Sequence, residues 1–171
     1  LAGAVYVFAR TGVTWSQQAY VKASNTTQFD AFGHSVALSG DGSTLSVGVP
    51  GHGLDGAVYV FTRSGVTWSQ QVYLEASNAN VSVWASNFGD SVALSADGNT
   101  LVAGAPFDNS GATGVGGDET NQSAPSSGAV FELIREGATW TQRAYVKASN
   151  TEGGDELGHA VALSDDGLTL A

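Results

Sequence analysis

The chain has 171 residues, 42% of them hydrophobic, a formal net charge of −10 with only six Lys and Arg, and no cysteine. That apolar content is enough to bury a core, the scarcity of basic residues excludes a nucleic-acid partner, and the lack of Cys removes disulfides, thiolate metal sites and cysteine nucleophiles. No apolar run approaches the roughly 18 residues of a membrane-spanning helix, so no membrane insertion is expected. The chain opens at Leu1 without a methionine or a charged-then-apolar leader, and reads as a processed or excised piece.

In chain order, the first element is the run GAVYVF at residues 3–8, followed by a turn and GVTWSQQAYVKASN with Trp15 and Tyr20. A second block, FGHSVALSGDGSTLSVGVP, starts at Phe32. The series then returns: GAVYVF at residues 56–61, Trp68 and Tyr73 behind it, and FGDSVALSADGNTLVAGAP from Phe88. A third copy opens with GAVFEL at residues 128–133, continues through Trp140 and Tyr145, and reaches LGHAVALSDDGLTLA from Leu157. Relative to the first interval, three residues are added before Phe88 and sixteen after Pro106.

Each unit reads as four short strands, predicted at residues 35–39, 44–49, 57–62 and 68–76 in the first complete copy. They are rich in β-branched and aromatic residues and bounded by Gly, Pro, Asp, Asn or Ser. The Asp-Gly pairs at Asp41, Asp97 and Asp166 fall between two such runs, where a hairpin needs residues that tolerate positive φ. A four-stranded unit of this size cannot bury both faces alone, so its copies must stack, and radial stacking into a β-propeller is the expected solution. A β-solenoid is the rival, but its coils are shorter and rarely carry two hairpins each.

The order Phe-Gly, strand, Asp-Gly turn, strand ending in Val-Gly-Val-Pro or Ala-Gly-Ala-Pro, then Gly-Ala-Val-Tyr-Val-Phe resembles the FG-GAP repeats of integrin α-subunit propellers and their bacterial relatives. Phe32-Gly33 and Phe88-Gly89 carry the first element, residues 48–50 and 104–106 the second, and Leu157-Gly158 departs conservatively. The resemblance implies an all-β chain of propeller blades, each of four antiparallel strands with the Phe-Gly strand innermost. Its segments would be an outer half-blade at 1–31, a blade at 32–87, a blade at 88–156 carrying an inserted loop at 107–127, and an inner half-blade at 157–171. Two full blades and two half-blades do not close a propeller, so either further repeats or pairing of half-blades between copies is implied.

The resemblance also implies Ca²⁺ in a D-x-D-x-D-G hairpin turn. Here Asp41, Asp97 and Asp166 match only the last aspartate, with Ser39, Ser95 and Ser164 two residues earlier and Ala37, Ala93 and Ala162 four earlier, a poor cage for a hard cation. The inserted loop is the better candidate for Ca²⁺, through Asp108, Asn109, Asp118 and Glu119 among glycines. His34, Asp90 and His159 occupy one repeat position and read as solvent-facing polar residues around the channel mouth. Trp15, Trp68 and Trp140 repeat with their tyrosines and read as packing, whereas Trp84 stands outside the repeat as a partner-contact residue. Asn25, Asn80 and Asn121 each begin an N-x-S/T sequon, candidate glycosylation sites for a secreted chain.

The function expected is therefore non-catalytic: an extracellular or cell-surface recognition or adhesion module, binding a protein or glycan through its loops. A structural subunit of a surface filament or layer, built from further copies of itself by half-blade pairing, is a second expectation, and a carbohydrate-binding propeller a third. No nucleophile with a nearby base or pair of acids argues for an enzyme.

Overall fold

The computed structural model of the chain describes residues 2–25, 27–79, 81 and 85–171. Among these there are ten strands and no helix: β1 (Val5–Thr11), β2 (Thr14–Val21), β3 (Ser35–Leu38), β4 (Thr44–Val49), β5 (Ala57–Ser64), β6 (Thr67–Leu74), β7 (Ser91–Leu94), β8 (Thr100–Ala105), β9 (Ala129–Glu136) and β10 (Thr139–Val146). They form three antiparallel sheets, β1-β2, β3-β4-β5-β6 and β7-β8-β9-β10, in which chain neighbours are sheet neighbours. Residues 162–171 repeat the hairpin of β3 and β4, with Leu163 paired to Leu170 and two backbone bonds between Ala162 and Ala171 at 2.8 and 3.0 Å.

The expected strand positions hold to within a few residues. The outer strand β6 stops at Leu74 instead of reaching Ala76, because its last partner on β5 is Val58 and the chain before β5 turns at Gly56 to meet Phe88. That contact recurs: Gly3, Gly56 and Gly128 form parallel bridges to Phe32, Phe88 and Leu157. All three glycines have φ between 73° and 85°, and a Cβ at Gly56 would fall 2.4 Å from the Phe88 carbonyl oxygen. Only glycine admits this approach.

Two apolar clusters lie between the sheets, and β5 serves both through the two-residue alternation of a strand. Ala57, Tyr59 and Phe61 point to the first sheet, joining Val21, Phe32, Leu45 and Val47. Val58 and Val60 point the other way, joining Phe88, Leu101, Phe131 and Tyr145. The near-continuous apolar runs of β4 and β5 follow from burial on both faces. The inner strands are bound still more closely. Ser35 Oγ donates to the Gly89 carbonyl at 2.8 Å and Ser91 Oγ to that of Gly158 at 2.7 Å. The turn residues Gly40, Ala96 and Asp165 run in series, the first donating its amide to the second at 2.8 Å and the second to the third at 2.9 Å.

Candidate functional site

The sixteen-residue excess makes the connection between β8 and β9 the longest in the chain, and it is folded rather than open. Its root is Asp108, 2% exposed. The Asp108 carboxylate accepts from Tyr145 Oη at 2.7 Å, Asn78 Nδ2 at 2.8 Å and the Ser110 amide at 2.9 Å, with Lys147 Nζ 3.4 Å away. Lys147 is fully buried and donates as well to Ser127 Oγ at 2.7 Å and to the Gly128 carbonyl at 2.5 Å. Burial pulls the Lys147 ammonium below its ordinary range, and the Asp108 charge opposes that fall. Burial, together with its bond to Asp108, pushes the Tyr145 phenol well up, so it remains a donor.

Asn109 closes the base of the loop, its Oδ1 accepting from the Ser126 amide at 2.8 Å and its carbonyl from the Ala124 amide at 3.1 Å. Farther out, the segment from Gly114 to Gly116 lies along β10: Val115 bridges to Val146, Lys147 donates its amide to the Gly114 carbonyl at 2.8 Å, and Gly116 donates to that of Tyr145 at 2.9 Å. Glu119 accepts from Gln142 Nε2 of β10 at 2.7 Å and also from the hydroxyl of Ser77, just beyond β6 of the second sheet. Asp118 is turned to Thr120, whose hydroxyl and amide hold its carboxyl below the usual range.

The four side chains singled out for a cation therefore do not converge. Asp108 faces an ammonium group, Asn109 and Glu119 serve other contacts, and Asp118 caps its own turn. Among the described residues no group of three or more His, Cys, Asp or Glu is placed to hold a metal ion. These donors do not fit a Ca²⁺ cage, which needs several oxygens turned on one point. The Asp-Gly turns do not fit it either. Ser39 Oγ donates to Asp41 Oδ1 at 2.7 Å and accepts from the Thr44 amide at 2.9 Å, and the pairs Ser95–Asp97 and Ser164–Asp166 repeat this.

His34, Asp90 and His159, which read from the sequence as solvent-facing polar residues, are brought together by the stacking of the inner strands. Asp90 lies between the two imidazoles, 3.4 Å from His34 Nε2 and 3.5 Å from His159 Nδ1. His52 Nδ1 lies 3.2 Å from Asp30 Oδ2, with its ring edge-on to Tyr73.

The tryptophans form joints. Each outer strand carries a bulge, and the extra residue is Gln18 in β2, Gln71 in β6 and Arg143 in β10. A bulge re-aims one side chain. Gln18 Oε1 accepts from Trp68 Nε1 at 3.3 Å, and Gln71 Oε1 from Trp140 Nε1 at 3.2 Å, each across a sheet boundary. Arg10, Arg63 and Arg135 cover the faces of Trp15, Trp68 and Trp140 at 5.9, 5.8 and 5.6 Å from the ring centroids. Trp15 is 64% exposed and Trp140 only 8%. In the third unit Arg143 instead pairs with Glu132 of its own sheet.

Of the sequons, Asn25 is exposed and accepts from Tyr59 Oη at 2.8 Å, and Asn121 accepts from the Ser123 amide at 2.8 Å. Asn80 and Trp84 lie outside the described residues. Sequence reading missed Lys147, Asn78 and Tyr145 as the loop's anchors. The available signal was the charge change along one repeat position, Lys22, Glu75 and Lys147, in the unit that carries the insertion.

Residues 15–61 match the family model described as FG-GAP repeat, a span from β2 into β5. No curated protein matches the chain.

Proposed function

The chain carries the FG-GAP repeat, and from that premise we propose that it is a stretch of an integrin-like β-propeller, each four-stranded sheet one blade, acting outside the cell as a non-catalytic recognition module. FG-GAP repeats occur typically in extracellular proteins. The observation that carries the reading is the unequal length of the connections at the two ends of the sheets. One end has only the tight turns at 12–13, 39–43, 65–66, 95–99 and 137–138, while the other gathers the connections 22–34, 50–56, 75–90 and 106–128. Loops set on a rigid sheet frame are where binding residues concentrate. The insertion adds a preorganised surface to that end, with Val115 71% and Phe107 38% exposed, and preorganisation lowers the ordering cost of binding.

The partner is a protein or glycan met at this loop face. The test is an array of extracellular proteins and glycans probed with the wild-type chain and with a Val115→Asp, Phe107→Ser double variant of equal thermal stability. Binding that the wild type shows and the variant loses by about tenfold or more supports the reading. Absence of binding, or binding that the variant retains in full, refutes it.

A further inference from the structure

We propose that the insertion is an edge strap, a built-in segment that occupies the C-terminal end of the outer edge of β10 and hinders the addition of a further strand there. The three outer strands have nearly the same sequence, TWSQQAYV in β2, TWSQQVYL in β6 and TWTQRAYV in β10. An outer strand offers a row of unpaired amides and carbonyls, which is a template for strand addition. Among the described residues no bridge outside the named strands falls on β2 or β6, whereas Val115 bridges to Val146 of β10.

Three backbone bonds make the contact: Gly116 to the Tyr145 carbonyl at 2.9 Å, Lys147 to the Gly114 carbonyl at 2.8 Å, and Gly114 to the Ala148 carbonyl at 3.2 Å. The strap's own outward edge is then Val115 alone between two glycines at φ 71° and 74°. Such a short, twisted edge cannot template the next strand, which is how exposed sheet edges are blunted. The root holds the strap in register. Asp108, Ser127 and the Gly128 carbonyl all grip the Lys147 side chain, whose amide takes part in the strap contact. Ala112, between root and strap, packs against the cluster of Phe131 and Tyr145. The inference rests on the β10 contacts and not on the propeller reading.

The test excises residues 112–122 and joins Gly111 to Ser123, which already touch: a Cβ on Gly111 would lie 2.1 Å from Ser123 Oγ. Asp108, Asn109, Ser110 and Ser127 stay in place. A second variant, Gly116→Pro, keeps the loop length, removes the amide given to Tyr145 and cannot adopt the φ of 74° found there, so it unseats the strap. Hydrogen exchange at the Lys147 amide and sedimentation over a concentration series are compared with the wild type. The expected result is Lys147 exchange faster by about tenfold or more in both variants, and self-association of the excised chain beyond that of the wild type. Unchanged Lys147 exchange in the Gly116→Pro protein overturns the strap contact. Faster exchange without added association in the excised chain overturns its role as an edge guard.

Discussion

The joint between consecutive sheets gives the sharpest quantitative prediction. Gln71 is the extra residue of the β6 bulge and the acceptor for Trp140 Nε1 at 3.2 Å. Trp140 is 8% exposed, so Gln71→Ala leaves a nearly buried indole N–H without that acceptor. A lost partner of this kind costs about 1–3 kcal/mol. For a chain of this size, each kcal/mol lowers the thermal midpoint by about 2–4 °C. Trp140→Phe removes the same bond and weakens the contact with Arg135, worth about 0.5–1 kcal/mol where partly exposed.

The two single variants and the double variant close a cycle, followed by urea denaturation with circular dichroism. The bond predicts a coupling of about 1 kcal/mol, because the second change removes a partner already lost. Gln17→Ala, at an exposed neighbour in β2 outside the bulge, should change stability by no more than about 0.5 kcal/mol. Additivity of Gln71→Ala and Trp140→Phe within about 0.3 kcal/mol would refute the joint, and the bulge would then have no role in aiming the glutamine.

Lys147→Met strands the Asp108 carboxylate in the interior and should cost about 3–5 kcal/mol in urea denaturation, whereas Lys22→Met, at the exposed equivalent position, should cost about 0.5 kcal/mol or less. Gly104→Ala places a Cβ 1.8 Å from the Gly158 carbonyl oxygen and 2.5 Å from Ser91 Oγ, and should cost about 3 kcal/mol or more, while Gly12→Ala, in open space at φ 58°, should cost only about 1 kcal/mol. Bonds from Ser39 and Ser43 hold the Asp41 carboxyl at about 2, and those from Ser95 and Ser164, with the following backbone amides, hold Asp97 and Asp166 below their ordinary value. Carboxyls depressed in the folded state stabilise it fully above their unfolded value near 3.8 and lose that contribution as pH falls through the folded value. The thermal midpoint should therefore drop between about pH 4 and pH 2, and Asp41→Asn should flatten part of that drop in melts followed across pH.

Repetition made the strands legible. Alternating apolar residues and Asp-Gly turns are local signals, and the three copies reinforced each other, so β3 to β6 fall where the residues place them. What was not legible depends on how one sheet meets the next. Gly48 and Gly104 were visible as motif residues, but their reason is the neighbouring inner strand: a Cβ at Gly48 would lie 1.9 Å from the Gly89 carbonyl oxygen. Asp90 between His34 and His159 is a consequence of the same close stacking, which brings repeat-equivalent positions into contact rather than spreading them around a ring. The acidic loop was legible as special but not in its chemistry. Its buried cation is Lys147, distant in sequence, at a position that copy one fills with an exposed Lys22 and copy two with an exposed Glu75.

The third unit departs from the repeat in a second way that bears on cohesion. Val7 and Val60, on the faces turned to the next sheet, give way to Glu132, and the bulge glutamine gives way to Arg143. These two changes answer each other, since Arg143 Nε donates to Glu132 Oε2 at 2.9 Å within one sheet. The first two boundaries combine apolar burial with a glutamine–tryptophan bond. At the third, contact with residues 157–171 repeats the inner bonds of the second boundary: the Gly128 to Leu157 bridge, the Ser91 hydroxyl to the Gly158 carbonyl and the Ala96 amide to that of Asp165. An ion pair of this kind contributes about 0–1 kcal/mol and buries little apolar area, so this face of the third sheet offers less apolar surface than the equivalent faces of the first two. The unit whose outward face is polar is also the one that carries the insertion, and the Lys147 anchor with its strap supplies that unit with cohesion from within its own sheet.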